Sequence, residues 1–418
     1  SLSEWNGVDV MAESRRRNTG MSSGKRQAIA AGLLTGVAVG AWAGSRILPR
    51  SGAVAQPRSL IDWDQARTIA MSMNRGAALT APERRALDAS YRDLVAQCVP
   101  IVAAYTGDTL PLSGERTFAF DRVDWVNANI DAFRLLFAPL ESLYHDEGGS
   151  KSVAALMLGG LNRQVLSAEL GLLLGYLARR VLGQYDLALL GREPLTSGKL
   201  YYVEPNIRVV ERALGLPGDE FRMWLALHET THAFEFEAHP WVRLHFNALL
   251  TQYMGFLKED AEQLKQGVRG LKVFVQRARS KDSGAASWIE AVMTPEQRAL
   301  FNEMQALMCV IEGYSNHVMN VVGRDLLPTY EQIARKFERR QRERTMAEQL
   351  FARLTGLDVK MEQYRLGEAF VNSIVRERGH EAARLMWSGP EALPTMSEIR
   401  NPEQWLARTE RVPLPTHV

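Results

Sequence analysis

The stretch LALHETTHAFEFEAHPW, Leu225–Trp241, carries two histidines four positions apart with a glutamate directly after the first. Apolar residues surround them at helical spacing, which predicts a helix, with Asp219 placed to cap its N-terminus. On a helix, His228 and His232 project from one face, so both imidazoles can converge on one ion. Glu229 lies close enough to reach a water on such an ion without ligating it. Two neutral nitrogen ligands with a general base beside them are what a hydrolytic zinc requires. With 8 histidines in 418 residues, chance alone yields HExxH in roughly one such sequence per hundred. The plain alternative is two histidines sharing a helix surface.

A catalytic zinc usually has three protein ligands and one open position. The extended form HExxHxxGxxH needs glycine at 235 and histidine at 238, where this chain has Glu235 and Ala238. His239 misses by one residue and precedes Pro240. Eighty residues further on, CVIEGYSNHVMNVVG (309–323) holds one acidic residue, Glu312, in an apolar helical run. A carboxylate in that setting should be paired or bound to a metal. Glu312 is therefore the expected third ligand, and Gly313 is expected to let the HETTH helix approach closely. Tyr314 and His317 are candidates to donate to a developing oxyanion, and each could equally be a packed helix residue.

Helical periodicity runs from Leu60 onward. Residues 82–104 alternate charged and apolar at spacings of three and four, and Val153–Gly183 is apolar enough to be the central core. Phe256–Ser280 and Tyr330–Leu354 read as charged amphipathic helices, and KLYYVEPNI (Lys199–Ile207) is the best strand candidate. The expected fold is mainly α: one large helical domain over 60–418 with at most a small β element. The net charge of +2 and pI of about 8.5 carry no nucleic-acid footprint. The ERRQRER run (338–344) mixes signs and reads as a solvated face. Cys98 and Cys309 offer neither a disulfide framework nor a CxxC knuckle and read as core residues.

The first sixty residues differ in kind. A polar, basic segment (1–27) precedes AIAAGLLTGVAVGAWAG, Ala28–Gly44, which has no charge. Gly32, Gly36, Gly40 and Gly44 stack on one helical face, a spacing that lets two helices meet inside lipid. Residues 28–48 are thus expected to be a membrane-anchor helix with a glycine zipper that could support homo-oligomers, and 49–59 a linker. A cleaved signal peptide and a peripheral or soluble helix are the alternatives. The cations ahead of the span favour an extracytoplasmic main domain, although Arg46, Arg50 and Arg58 weaken that orientation and leave a cytoplasmic one open.

Glu312-Gly313 followed by Asn316 resembles the second helix of the glutamate zincins, the thermolysin-like group with its E-G-x-x-D pattern. In that group the aspartate orients the first histidine. Here Asn316 stands in its place, with an amide oxygen that can still accept the imidazole N–H. Across the domain the chain is similar to a family of zincin-like proteins grouped as zinc-dependent metallopeptidases or hydrolases, some associated with deazaflavin coenzyme biosynthesis. The segments that carry the likeness include IDWDQA (61–66), RRVLGQYDLAL (179–189), LYYVEPNI (200–207), WLALHETTHAFEF (224–236), IEGYSNHVMN (311–320), GLDVKMEQYRLGEAFV (356–371) and PEALPTMSEIRNPEQW (390–405). The resemblance implies a helical zincin-like fold, one Zn2+ on His228, His232 and Glu312, and Glu229 as base. It implies no particular substrate. A zinc metallopeptidase acting on a peptide or protein is the expected function. The rivals are a non-catalytic zinc-stabilised protein and a membrane-linked adaptor with a vestigial site.

Overall fold

The computed structural model describes residues 61–76, 78–110, 116–145, 163–186, 198–265, 293–342 and 357–410. Helix α1 (Trp63–Ser72) starts on Asp62, whose carboxylate accepts the Gln65 N–H. Helix α2 (Ala81–Thr106) starts on a capping box between Thr80 and Glu83 and stops at Gly107, which takes φ +75°. Then come β1 (Thr117–Phe120), α3 (Arg122–His145), α4 (Arg163–Leu177), β2 (Gly183–Asp186), β3 (Lys199–Val203) and α5 (Glu204–Leu214). The long helices α6 (Gly218–Glu237), α7 (Pro240–Lys265), α8 (Pro295–Leu326), α9 (Tyr330–Arg342) and α10 (Leu357–Arg378) follow. Three short helices, α11 (His380–Arg384), α12 (Met396–Arg400) and α13 (Pro402–Thr409), close the chain.

Among the described residues the fold is mainly α with one small sheet, as the periodicity predicts. Strand β3 lies at its centre, parallel to β1 and antiparallel to β2. The expected strand over Lys199–Ile207 is a strand only to Val203. Pro205 then occupies the first turn of α5, where its missing N–H is no loss. Asp219 does not cap α6: Pro217 precedes the helix, and Asp219 and Glu220 sit in its first turn. There Glu220 Oε2 accepts the Thr329 N–H at 2.8 Å and its hydroxyl at 2.6 Å, tying α6 to the start of α9.

The main core gathers around α6, α8 and α10. Helix α6 is buried on nearly every side from Leu225 to Glu237, and α8 likewise from Ala306 to Met319. Of the stretch Val153–Gly183, expected to form the central core, residues 153–162 lie outside the described residues and the buried apolar residues of the rest lie outside the main core. Its described helix, α4, packs on α1 in a smaller cluster with Trp63, Trp125 and Ile130. Gly171 makes that contact possible, since a Cβ there would lie 2.7 Å from the Ala66 carbonyl oxygen. The expected role of Gly313 is also revised. It faces Gly367 of α10 rather than the HETTH helix, and a Cβ on it would lie 2.2 Å from the Gly367 carbonyl carbon.

A buried ion cluster fixes α6 from behind. Glu204, fully buried, accepts from Tyr91 of α2 at 2.5 Å, Arg208 at 2.8 Å and Arg222 of α6 at 2.6 Å. Arg208 continues to Glu83 at 2.7 Å and Arg222 to Glu211 at 2.9 Å, so no buried charge stands alone. Burial opposes the charge on Arg222, but the Glu204 carboxylate outweighs it and raises its pKa. Among the described residues no helix is long and apolar enough to cross a membrane. The expected anchor at 28–48 lies outside the described residues.

Candidate metal centre

Helices α6 and α8 bring His228, His232 and Glu312 together, with one ligand atom from each lying within 4.8 Å of the others. The two Nε2 atoms are 3.3 Å apart, and His232 Nε2 is 3.7 Å from Glu312 Oε2. Ligands on a tetrahedral zinc at about 2.0–2.1 Å lie about 3.3–3.4 Å from one another, and the two His232 separations are near that spacing. The electrostatics agree. Glu229, Glu235 and Glu312 are buried around these imidazoles, and a divalent cation would offset the negative charge of such a group. In the metal-free chain burial works against a charge on His232, but the Glu235 carboxylate, with Glu312 and Glu229 nearby, outweighs it and raises the imidazole's pKa. Burial also raises Glu235.

The nitrogens turned away from the centre have distinct partners. His232 Nδ1 lies 2.7 Å from Glu235 Oε2, one helical turn on. His228 Nδ1 lies 3.2 Å from Ser315 Oγ and 3.0 Å from Met319 Sδ. The side chain expected beside His228 was Asn316; the hydroxyl one residue earlier takes that place. Both positions lie one turn after Glu312, but Ser315 is fully buried while Asn316 is only half-buried.

Glu229 is 5% exposed and packs against the sheet. A Cβ on Gly183 of β2 would lie 2.5 Å from Glu229 Oε1, so only glycine leaves the carboxylate its present position. Gly183 pairs across the sheet with Tyr202, whose ring stacks on Tyr91 at 4.1 Å. The sheet thus supports Glu229 from one side while the ion cluster holds the helix from another.

His317 and Tyr314 occupy a second polar cluster. His317 Nδ1 is 2.6 Å from Asn372 Oδ1, and its Nε2 is 2.6 Å from the Tyr105 hydroxyl. Burial lowers the His317 pKa despite the Asn372 contact. A neutral ring that donates to Asn372 from Nδ1 accepts the Tyr105 proton at Nε2. Tyr314 reaches His380 Nε2 at 3.2 Å and meets Trp387 edge to face. His239 turns elsewhere, to Asp108 Oδ2 at 3.3 Å, with its ring stacked on Trp387.

Sequence reasoning did not single out Glu235, Ser315, Tyr105 or Gly183. Glu235 had a local signal, an acid one turn after His232 inside an apolar run. The other three reach the site only through tertiary packing.

Two imidazoles from one buried helix and a carboxylate from another, with a further carboxylate beside the first imidazole, are the arrangement a zincin metal centre requires. The zincin-like metallopeptidase family matches residues 61–406, and the chain belongs to it. A crystal structure from Chloroflexus aurantiacus, described as a candidate hydrolase with a novel fold, is 42% identical with a TM-score of 0.64. The match covers 84% of this chain and all of that one. No curated protein matches.

Proposed function

We propose that the protein is a zinc-dependent hydrolase, and specifically a metallopeptidase with His228, His232 and Glu312 as ligands. The convergence of these three side chains beside Glu229 carries the reading. Zinc, when bound, supplies a Lewis acid for the scissile carbonyl and lowers the pKa of water toward about 7. Glu229, held against Gly183, takes the proton of the attacking water and later delivers it to the leaving amine. Its burial excludes bulk water from that exchange and keeps its orientation fixed.

A peptide substrate is favoured by the sheet. Among the described residues β2 is an edge strand, and its first residue, Gly183, is the one beside Glu229. An extended peptide adding to that edge would run past the base. Tyr314 or His317 would act on a developing oxyanion only after giving up its present partner. The nearest hydroxyl on His317 is that of Tyr105, whose pKa burial pushes up to about 12, so it stays protonated and able to donate.

The test is Glu229→Gln. The variant should retain one zinc per chain and lose peptide hydrolysis by about 100-fold or more. Turnover near that of the wild type would remove Glu229 from the mechanism. Retained zinc with no hydrolysis in either protein, across a broad peptide library, would favour a zinc-stabilised structural role.

A further inference from the structure

Glu235 poses a problem that the three ligands do not solve. It is 1% exposed, on a stretch of α6 that also buries Ala233, Phe234 and Phe236. A carboxylate in such a place is costly unless its charge is compensated. One oxygen lies 2.7 Å from His232 Nδ1, and the other, Oε1, is buried with no hydrogen-bond partner. The whole polar use of this side chain is thus directed at one ring nitrogen.

We propose that Glu235 is the positioning residue of the metal centre. It accepts the Nδ1–H of His232, which fixes the tautomer that carries its lone pair on Nε2. That nitrogen is the one facing His228 Nε2 and Glu312 Oε2. A carboxylate on the far nitrogen also makes the imidazole a stronger donor to a cation. At the first histidine, Nδ1 meets the neutral Ser315 hydroxyl and Met319 sulfur. His232 is thereby a ligand whose orientation is set by a carboxylate on its own helix. Orientation of the second ligand comes from its own helix, one turn away, and needs no contribution from α8.

The inference rests on the metal reading above, and the experiment separates the two. Zinc affinity is measured by chelator competition for the wild type, Glu235→Gln, Glu235→Leu and Ser315→Ala. The His232 tautomer is read from ring 15N shifts of the zinc-free proteins at a pH high enough for the ring to be neutral, above its raised pKa of about 9. The Leu variant should bind zinc about 10- to 100-fold more weakly and lose the single Nδ1–H tautomer. The Gln variant keeps an acceptor oxygen, so its affinity should fall between those of wild type and Leu. Ser315→Ala should weaken binding less than Glu235→Leu. A Leu variant within twofold of wild type would overturn the proposal while leaving the metal site standing. So would a Gln variant as weak as Leu with the His232 tautomer unchanged in both. Absence of zinc binding by the wild type would instead remove the metal reading, and this inference with it.

Discussion

Replacing Gly367 by alanine should damage both the core and the metal centre, and the structure sets the scale. A Cβ at this position would lie 1.9 Å from the Cys309 carbonyl oxygen and 3.1 Å from the Gly313 Cα. An unstrained carbon–oxygen contact needs about 3.3 Å, so α10 must back away from α8 by more than an ångström. Both sides of the clash are backbone, so no rotamer change relieves it. Overpacking of this kind costs up to about 3 kcal/mol, and the better helix propensity of alanine offsets about 1 kcal/mol. The expected net loss is about 2 kcal/mol. Gly255 in α7 is the control, because a Cβ there meets nothing within 4 Å. Gly255→Ala should gain up to about 1 kcal/mol from the same propensity term. The assay is the urea midpoint of the zinc-free proteins, followed by zinc affinity. Glu312 lies on α8 between Cys309 and Gly313, so Gly367→Ala should bind zinc more weakly and Gly255→Ala should not. Equal stability of the two variants would refute the close helix crossing on which this reasoning depends.

Other consequences are as direct. Gly183→Ala forces a methyl into the space of the Glu229 carboxylate; zinc content should hold while peptide turnover falls by at least about tenfold, measured on one metal-analysed preparation. Glu204→Ala strips a fully buried carboxylate from Tyr91, Arg208 and Arg222 and should cost about 3–5 kcal/mol in urea unfolding, with Glu204→Gln losing less. Cys98 is fully buried, its thiol pushed up to about 12 by burial, and Cys309 is fully buried too. Neither should react with a thiol reagent at pH 8 until the chain is unfolded, whereas labelling of the native protein would show that the α2 and α8 cores are open.

What could be read from the amino acids follows from the range of each signal. The histidine pair and its neighbouring glutamate are i, i+1, i+4 relations on one helix, so sequence spacing alone places them. Glu312 was legible for a different reason: a single acid in an apolar run is an anomaly that needs a partner. Helix α2 announces itself by period, though its ends do not. Of the helices expected over Phe256–Ser280 and Tyr330–Leu354, residues 256–265 form the end of α7 and 330–342 form α9. The remainder lies outside the described residues. The four-residue strands β1 and β2 are too short to show alternation, so their pairing with β3 had no visible signal. The same limit hid Gly183, whose importance lies wholly in which helix crosses above it. Asn316 was the natural partner for His228 by analogy, yet Ser315 and Met319 are what the rotation of α8 presents. Gly313 was correctly marked as a close-approach position, but the approaching helix is α10. Local periodicity tells which face is buried and is silent on what covers it.

The central claim is that α6 and α8 form one zinc site with three protein ligands. Its most direct test is elemental analysis of the protein purified without added metal, for wild type and Glu312→Ala in parallel. The account predicts about one zinc per chain in the wild type and a large loss in the variant, with the helical circular dichroism of both unchanged. A wild type that takes up no zinc even when it is supplied, or a variant that keeps its full complement, would contradict it.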